Sequence, residues 1–369
     1  MFLRSLGRKT ITVACAALLL GTGVVACADS KGGAAASGPD NETVLLSYMH
    51  DIQNAHYYWV QDKGLDQQCG FHLELRTAGD VSNPLQVLVG GGADIALVEP
   101  LAYITAVQQG LPVIAIGEDV AKSPMTYTSL PESNIHGPAD LVGKTVGIET
   151  GADDALWFLK DILHKTLPAD QVDQVKVVRI GASTAPLFAK SVDAIGVWTT
   201  ATDIVSRQAK GEQFNMIKVS DYGIDMPGNV IVVTKDKLAK QPDRVSALLA
   251  TVLTAMSATL KPENSQQSVY ATQQRIDAPV SDEIQADLYK KMWDIRTTDY
   301  WTEHGVGAND PAGYATAMKF LVDNGQIPAP VAADQLFSNQ AFDAVTADGK
   351  VRDLGSVPGC KPAENGETK

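Results

Sequence analysis

Asn83-Pro84-Leu85-Gln86-Val87-Leu88-Val89-Gly90-Gly91-Gly92-Ala93-Asp94-Ile95-Ala96-Leu97-Val98 is the stretch from which the fold can be read. Pro84 stands at an early helical position, where its missing N–H satisfies nothing and costs nothing. The apolar residues after it read as a helix that three glycines bring to an end. Residues 93–98 are then a short apolar run of strand length. Upstream, Phe71-His72-Leu73-Glu74-Leu75-Arg76-Thr77 alternates with period two, the pattern of a half-buried strand. Strand, helix and strand at this spacing predict a parallel βαβ unit with a right-handed crossover.

Working outward, residues 44–48 read as a strand and 55–63 as a helix stopped by Gly64. A helix at 101–109 closed by Gly110 leads to a strand at 113–116. The pattern restarts after Pro138-Ala139-Asp140-Leu141-Val142-Gly143-Lys144. Strands are expected at 145–148, 175–179, 194–197, 216–219 and 230–233, with helices at 152–164, 185–190 and 201–210. From Pro242 onward helices are expected at 244–260, 264–276, 281–295 and 311–324. The fold class is α/β with two similar lobes, each a mostly parallel sheet flanked by helices. A helical C-terminal extension is expected to pack on lobe one.

Composition narrows the function. The chain has 369 residues, a formal net charge of −13, 20% charged and 45% hydrophobic residues. That is the balance of a folded chain. Excess acid argues against a nucleic-acid partner, which needs clustered Lys and Arg. Past the N-terminal region no apolar run approaches 18 residues, which excludes a polytopic membrane protein.

Arg4, Arg8 and Lys9 precede an apolar core at 11–20, the layout of an export signal. Gly23-Val24-Val25-Ala26-Cys27 then resembles the bacterial lipobox, which makes Cys27 the expected lipidation site and 1–26 the signal peptide. Residues 27–42, rich in Gly, Ala and Ser, read as a flexible tether. Removing residues 1–26 takes away three positive charges and no negative ones, so −13 becomes −16. Two cysteines remain beyond the tether, Cys69 and Cys360. In an oxidising exported space they are expected to pair, and two separate buried thiols are the alternative.

Several segments together resemble the solute-binding proteins of ABC importers, in the branch that includes thiamine-pyrimidine-precursor and alkanesulfonate (nitrate, taurine) binders. The matching residues are Gln61-Asp62-Lys63-Gly64-Leu65, the run from Gln86 to Ala96, Gly110-Leu111-Pro112-Val113, and Gly137 to Gly147. Ser191-Val192-Asp193-Ala194 and Asp221-Tyr222-Gly223-Ile224-Asp225 follow in order, so the likeness covers about residues 43 to 260. It implies a type II periplasmic-binding-protein-like fold: lobe one at 43–138, lobe two at 139–232, and 233–369 returning to lobe one. Chain crossings are expected near 137–144 and 228–234. The resemblance also implies an exported protein, lipid-anchored on the outer face of the cell membrane or periplasmic, that hands a small solute to an ABC permease. No cofactor, metal or catalytic residue is expected, and a monomer is the simplest state. The triple glycine and the Asp140–Lys144 turn are read as structural, since no G-K-[ST] follows as a phosphate loop requires.

Ligands of open α/β lobes sit beyond the carboxyl ends of the strands. The residues expected there are His50, Asp51, Asn54, Tyr57, Asp80, Ser82, Glu99, Glu149, Thr150, Gly151, Ala152, Trp198, Thr199, Tyr222 and Asp225. The acids accept N–H groups, Tyr57, Trp198 and Tyr222 can stack on a flat ring, and no Lys or Arg is in the set. A neutral or cationic nitrogen heterocycle such as an aminopyrimidine fits best. An alkanesulfonate or other organic anion held at helix N-termini is the alternative, and a ligand-sensing lipoprotein without a transport role is a further one.

Overall fold

The computed structural model describes residues 40–47, 49–77, 83–150, 152–276 and 279–360. The signal peptide, the tether to residue 39, Cys27, Asp80, Ser82 and Gly151 lie outside the described residues.

Ten strands carry the architecture: β1 (Asp40–Leu46), β2 (Phe71–Thr77), β3 (Ile95–Val98), β4 (Val113–Val120), β5 (Met125–Ser129), β6 (Thr145–Glu149), β7 (Lys176–Ile180), β8 (Ala194–Trp198), β9 (Asn215–Lys218) and β10 (Asn229–Thr234). They form two five-stranded sheets, ordered β2-β1-β3-β10-β4 and β7-β6-β8-β5-β9. The sheets are mixed rather than mostly parallel. β10 runs antiparallel to β3 and β4, and β5 antiparallel to β8 and β9. The reason is topological: these two strands arrive directly from the other sheet, without a helical crossover, and so run away from the edge at which their neighbours end.

The crossings therefore lie at 121–124 and 219–228. Strand β5, which the sequence reading placed within lobe one, is paired in the second sheet, and β10 in the first. Residues 137–144 are a turn within the second half: Asp140 accepts the His136 and Gly137 N–H groups at 2.8 and 3.0 Å. The true crossings are laced together. Gly228 N–H donates to the Val120 carbonyl and Ser123 N–H to that of Met226, each at 2.8 Å. A Cβ on Gly228 would stand 2.7 Å from Val120 Cγ1, so only glycine permits this approach.

The two halves repeat one device. Asp94, just before β3, accepts the Thr43 N–H at 2.8 Å, and Asp193, just before β8, accepts the Thr145 N–H at 2.8 Å. Both thereby pin the start of the adjoining parallel strand. Asp94 also pairs with Lys237, which shares Glu42 with Arg244. The resemblance-bearing Ala93-Asp94 and Val192-Asp193 are thus structural ties.

Period two sorts the first sheet's side chains. Val44, Leu46, Ile95 and Leu97 pack in one cluster with the buried helix Pro242–Thr259, while Leu45, Ala96 and Val98 face a second cluster with Tyr103 and Tyr314. The helices Ser265–Gln273, Asp282–Arg296 and Pro311–Asp323 follow the expected order. The last of these packs beside Pro100–Gln108 and sets Phe320 edge-on against Phe158 of the helix Asp153–Thr166. Among the described residues no single helix is long and apolar enough to cross a membrane. Cys69 and Cys360 form a disulfide that ties the C-terminal segment to the first half.

Candidate functional site

At the outgoing edge of the first sheet, β3 is followed by Glu99, the N-cap of the helix Pro100–Gln108. β10 pairs antiparallel with β3 up to Val98↔Val230, so Asn229, the first residue of β10, lies just past the paired end of β3. Asn229 is 1% exposed. Its Nδ2 donates to Ser47 Oγ at 3.0 Å, and its Oδ1 is buried with no hydrogen-bond donor. From the second half, β6 ends in Glu149 and the helix Asp153–Thr166 begins. Asp154 lies in its first turn, and the carboxyls of Glu99 and Asp154 are near enough to feel each other's charge. Asp154 Oδ1 is buried and has no donor.

Burial, then the neighbouring Asp154 and Glu149, hold the Glu99 carboxyl well above the usual range. Burial raises Asp154 and Glu149 as well. Burial and the neighbouring acids thus both favour the neutral form of Glu99.

Two of the expected aromatic side chains are half-buried at the edge of the core. Trp198, at the end of β8, is half-buried and packs against clusters of both halves, among them Ile52, Val120, Leu288 and Met292. Tyr222, half-buried in the turn Val219–Tyr222, packs on the larger of these clusters. Thr199 follows Trp198 and is held by its N–H to the Pro124 carbonyl at 2.9 Å. Ala152 precedes the helix as its N-cap and packs on the same cluster.

Other expected residues serve elsewhere. Tyr57 is fully buried and donates to Asp119 Oδ1 at 3.1 Å, so it cannot stack on a ligand. It belongs to a closed network in which His56 Nε2 meets the same oxygen at 2.8 Å and Arg296 Nη2 meets Asp119 Oδ2 at 3.0 Å. Burial pushes His56 down to about 4, against the pull of Asp119. Burial opposes ionisation of Asp119, but Arg296 and His56 outweigh it and keep that carboxyl below its ordinary value.

Asp51 caps the turn Ile52–Asn54 and accepts from Gln53 N, Gln53 Nε2 and Asn54 Nδ2 at 3.0 to 3.2 Å. Its burial raises it to about 7. Asn54 also donates to the Met49 carbonyl, while its Oδ1 is buried without a donor. His50 Nδ1 lies 3.1 Å from Tyr58 Oη and lines a polar recess with Gln61, His72, Glu74 and Arg275. Thr150 is exposed and donates twice to the Ile180 carbonyl. Asp225 is exposed.

The sequence reading missed Asp154, Asn229 and Arg179. Asp154 lies two residues past the segment read as following β6, and a helical first turn points it back to the edge. Asn229 begins a strand whose direction was not foreseen. Arg179, on β7, donates to the Glu149 carbonyl at 3.0 Å and pairs with Asp153 at 2.5 Å. A cation therefore stands at the rim, although already bound. Among the described residues no group of three His, Cys, Asp or Glu is arranged to hold a metal ion.

The architecture is the periplasmic-binding-protein fold. It superposes on the periplasmic aliphatic sulphonate binding protein SsuA from Escherichia coli with a TM-score of 0.61, at 15% identity over 81% of this chain and 92% of that one. The desulfurization enzyme DSZB shares it at a TM-score of 0.55 and 16% identity, over 82% and 98%, so the fold alone does not separate binder from catalyst. By sequence the chain is 22% identical to the riboflavin-binding protein RibY of Chloroflexus aurantiacus, over 81% of this chain and 85% of that one. It is 20% identical to the formylaminopyrimidine-binding protein of Halalkalibacterium halodurans, over 80% and 89%. The family model described as NMT1/THI5 like matches residues 51–265, more than half of the sequence, and the chain belongs to the NMT1/THI5-like family.

Proposed function

We propose that this protein is the solute-binding component of an ABC importer, captures a small nitrogen heterocycle such as an aminopyrimidine, and performs no catalysis. The observation that carries this is the pair of buried oxygens Asp154 Oδ1 and Asn229 Oδ1, which have no protein donor, together with the carboxyls of Glu99 and Glu149 and the half-buried Trp198. A buried acceptor without a partner costs about 1–3 kcal/mol, which a ligand N–H recovers. An anionic solute would instead meet Glu99, Asp154 and Glu149. The names of the two relatives, a riboflavin binder and a formylaminopyrimidine binder, support a ring rich in nitrogen.

Closure follows from differential contact: a ligand that touches Glu99 and Asn229 on one edge and Asp154 and Trp198 on the other favours the arrangement that brings the edges together. The crossings at 121–124 and 219–228 would act as the hinge. Export, lipidation at Cys27 and delivery to a membrane permease complete the reading. Arg179 and the start of the helix Asp153–Thr166 favour a second reading, an organic-anion binder.

A thermal-shift panel separates them. Protein stripped of solute by unfolding and refolding is exposed to 4-aminopyrimidines, riboflavin, taurine and longer alkanesulfonates. Linkage gives about 2.7 kcal/mol of stabilisation at a hundredfold excess over Kd. A selective shift with a nitrogen heterocycle supports the main reading, and a shift only with sulfonates rejects it.

A further inference from the structure

We propose that the C-terminal helices Asp282–Arg296 and Pro311–Asp323 clasp the second half of the protein from both faces of its sheet. The clasp holds the halves together by the protein's own contacts, so solute enters and leaves only when both contacts release. This goes beyond the reading above, because it does not depend on which solute is bound.

Period two fixes the two faces. Neighbouring residues of a strand point to opposite sides, and β8 divides accordingly. Ala194 packs in the cluster that holds Phe158 of the helix Asp153–Thr166, and Ile195 in the one that holds Ile204 of the helix Thr202–Gln208. One helix therefore lies on each face of the second sheet, and each is met by a helix of the C-terminal third.

On the first face, Phe320 of Pro311–Asp323 stands edge-on to Phe158, with ring centroids 5.2 Å apart and planes at 70°. One helical turn further, Asn324 Nδ2 donates to Asp161 Oδ1 at 3.2 Å. On the second face, Asp282–Arg296 packs along Thr202–Gln208. Ile204 faces its own sheet, whereas Val205, 1% exposed, lies in a small buried cluster with Leu288 and Met292, which Trp198 joins.

Both C-terminal helices are fixed to the first half and reach over the second. Tyr289 Oη donates to the Thr259 carbonyl at 2.7 Å and Trp293 Nε1 to that of Leu260 at 2.8 Å, at the end of the helix buried against the first sheet. Arg296 Nη2 and Nε donate to the Gln53 and Asp119 carbonyls, each at 2.8 Å. Pro311–Asp323 packs beside Pro100–Gln108, and after it Ser338 N–H donates to the Ala115 carbonyl on β4 at 2.9 Å. The ring pair and the apolar cluster bury surface whenever the halves meet. A solute that bridges the halves adds to this closure and does not carry it alone.

Small-angle X-ray scattering tests the clasp on protein stripped of solute by unfolding and refolding with its disulfide intact. The variants are Phe320→Ala for the first contact, Val205→Ala for the second, and the two combined. Phe188→Ala is the control: it also removes a packed ring, but Phe188 meets Phe214 and Arg207 within the second half. The radius of gyration of the combined variant should exceed that of wild type by at least about 1 Å, more than side-chain repacking produces. Each single variant keeps one contact and should stay nearer to wild type, and Phe188→Ala should match it. Circular dichroism checks that every variant is folded. If Phe320→Ala does not fold, Asn324→Ala, which removes only the bond to Asp161, takes its place in the combination. Wild-type protein as expanded as the combined variant would overturn the proposal, since the contacts would then hold nothing. So would a folded combined variant as compact as wild type, or equal expansion in Phe188→Ala. None of these outcomes bears on the heterocycle reading, which the thermal-shift panel decides separately.

Discussion

Tyr57 and Trp198 show how the role of an aromatic side chain depends on the element that carries it. Both follow a strand in sequence, and both read as stacking platforms. Tyr57 lies in the helix Ala55–Asp62 and points into the core, where its O–H completes the Asp119 network. Trp198 ends β8 and remains half-buried between the halves. Trp198→Ala should weaken ligand binding at least about tenfold through lost ring contact. Tyr57→Phe should leave affinity unchanged while costing about 1–2 kcal/mol in denaturant unfolding, because a donor to a buried carboxylate is lost. Equal losses of affinity in both variants would place Tyr57 back in the site. Nothing in the letters distinguishes the two positions, since the direction of a side chain is set by the packing of its element.

At the scale of elements, the crossings govern how the halves move. Gly228 sits against Val120, whereas Gly137, in the turn where the sequence reading expected a crossing, has open space around a Cβ. Gly228→Ala should destabilise the protein by about 1–3 kcal/mol through overpacking, and Gly137→Ala by no more than about 0.5 kcal/mol. Urea unfolding of the two variants compares them directly, and a neutral Gly228→Ala would remove the argument for close approach. The longer helices of the C-terminal third were legible because their apolar periodicity and starts are local: Ser281 caps Asp282–Arg296 and Pro311 opens Pro311–Asp323, whereas the short helix Asp299–His304 between them was not expected. Strand direction was not legible: β10 reads like any other short apolar run, and β5, Met-Thr-Tyr-Thr-Ser, is not among the strands expected from the sequence.

For the molecule as a whole, two features set stability. The Cys69–Cys360 bond closes a loop with a sequence separation of 291. It contributes up to about 5 kcal/mol by loop entropy. Gly359, with φ of +80° and a would-be Cβ 2.2 Å from the Asp243 carbonyl, lets the tail press on the start of the helix Pro242–Thr259 and brings Cys360 to its partner. Reduction should lower Tm yet leave ligand affinity within about twofold, because both cysteines belong to the first half.

The second feature is a set of buried carboxyls. Burial raises Glu118 to about 8 and Asp51 to about 7, while His56 is lowered to about 4. Folded Glu118 and Asp51 keep protons that the unfolded chain has lost, so their contribution declines as pH rises through 7 and 8. His56 acts oppositely, but only between its folded value near 4 and its ordinary 6.5. Above pH 6.5 the carboxyls alone remain, and Tm should fall toward pH 8. Glu118→Gln should flatten that fall in a thermal scan, and an unaltered slope would show that Glu118 does not carry it.

The α/β class, the order of helices, the paired cysteines and most strand positions followed from the sequence by itself. Periodicity, glycine stops and proline starts act within a few residues. The same holds for Asp140, which bonds the N–H groups of His136 and Gly137, whereas Asp94 and Asp193 bond Thr43 and Thr145 on strands distant in sequence. What only the tertiary structure decided is the site. Glu99 and Asp154 are 55 positions apart in the numbering and meet because two sheets face each other. Asn229 reaches Ser47 because β10 returns antiparallel into the first sheet. Burial and neighbouring charge raise both carboxyls, and neither is written in the local pattern of either residue.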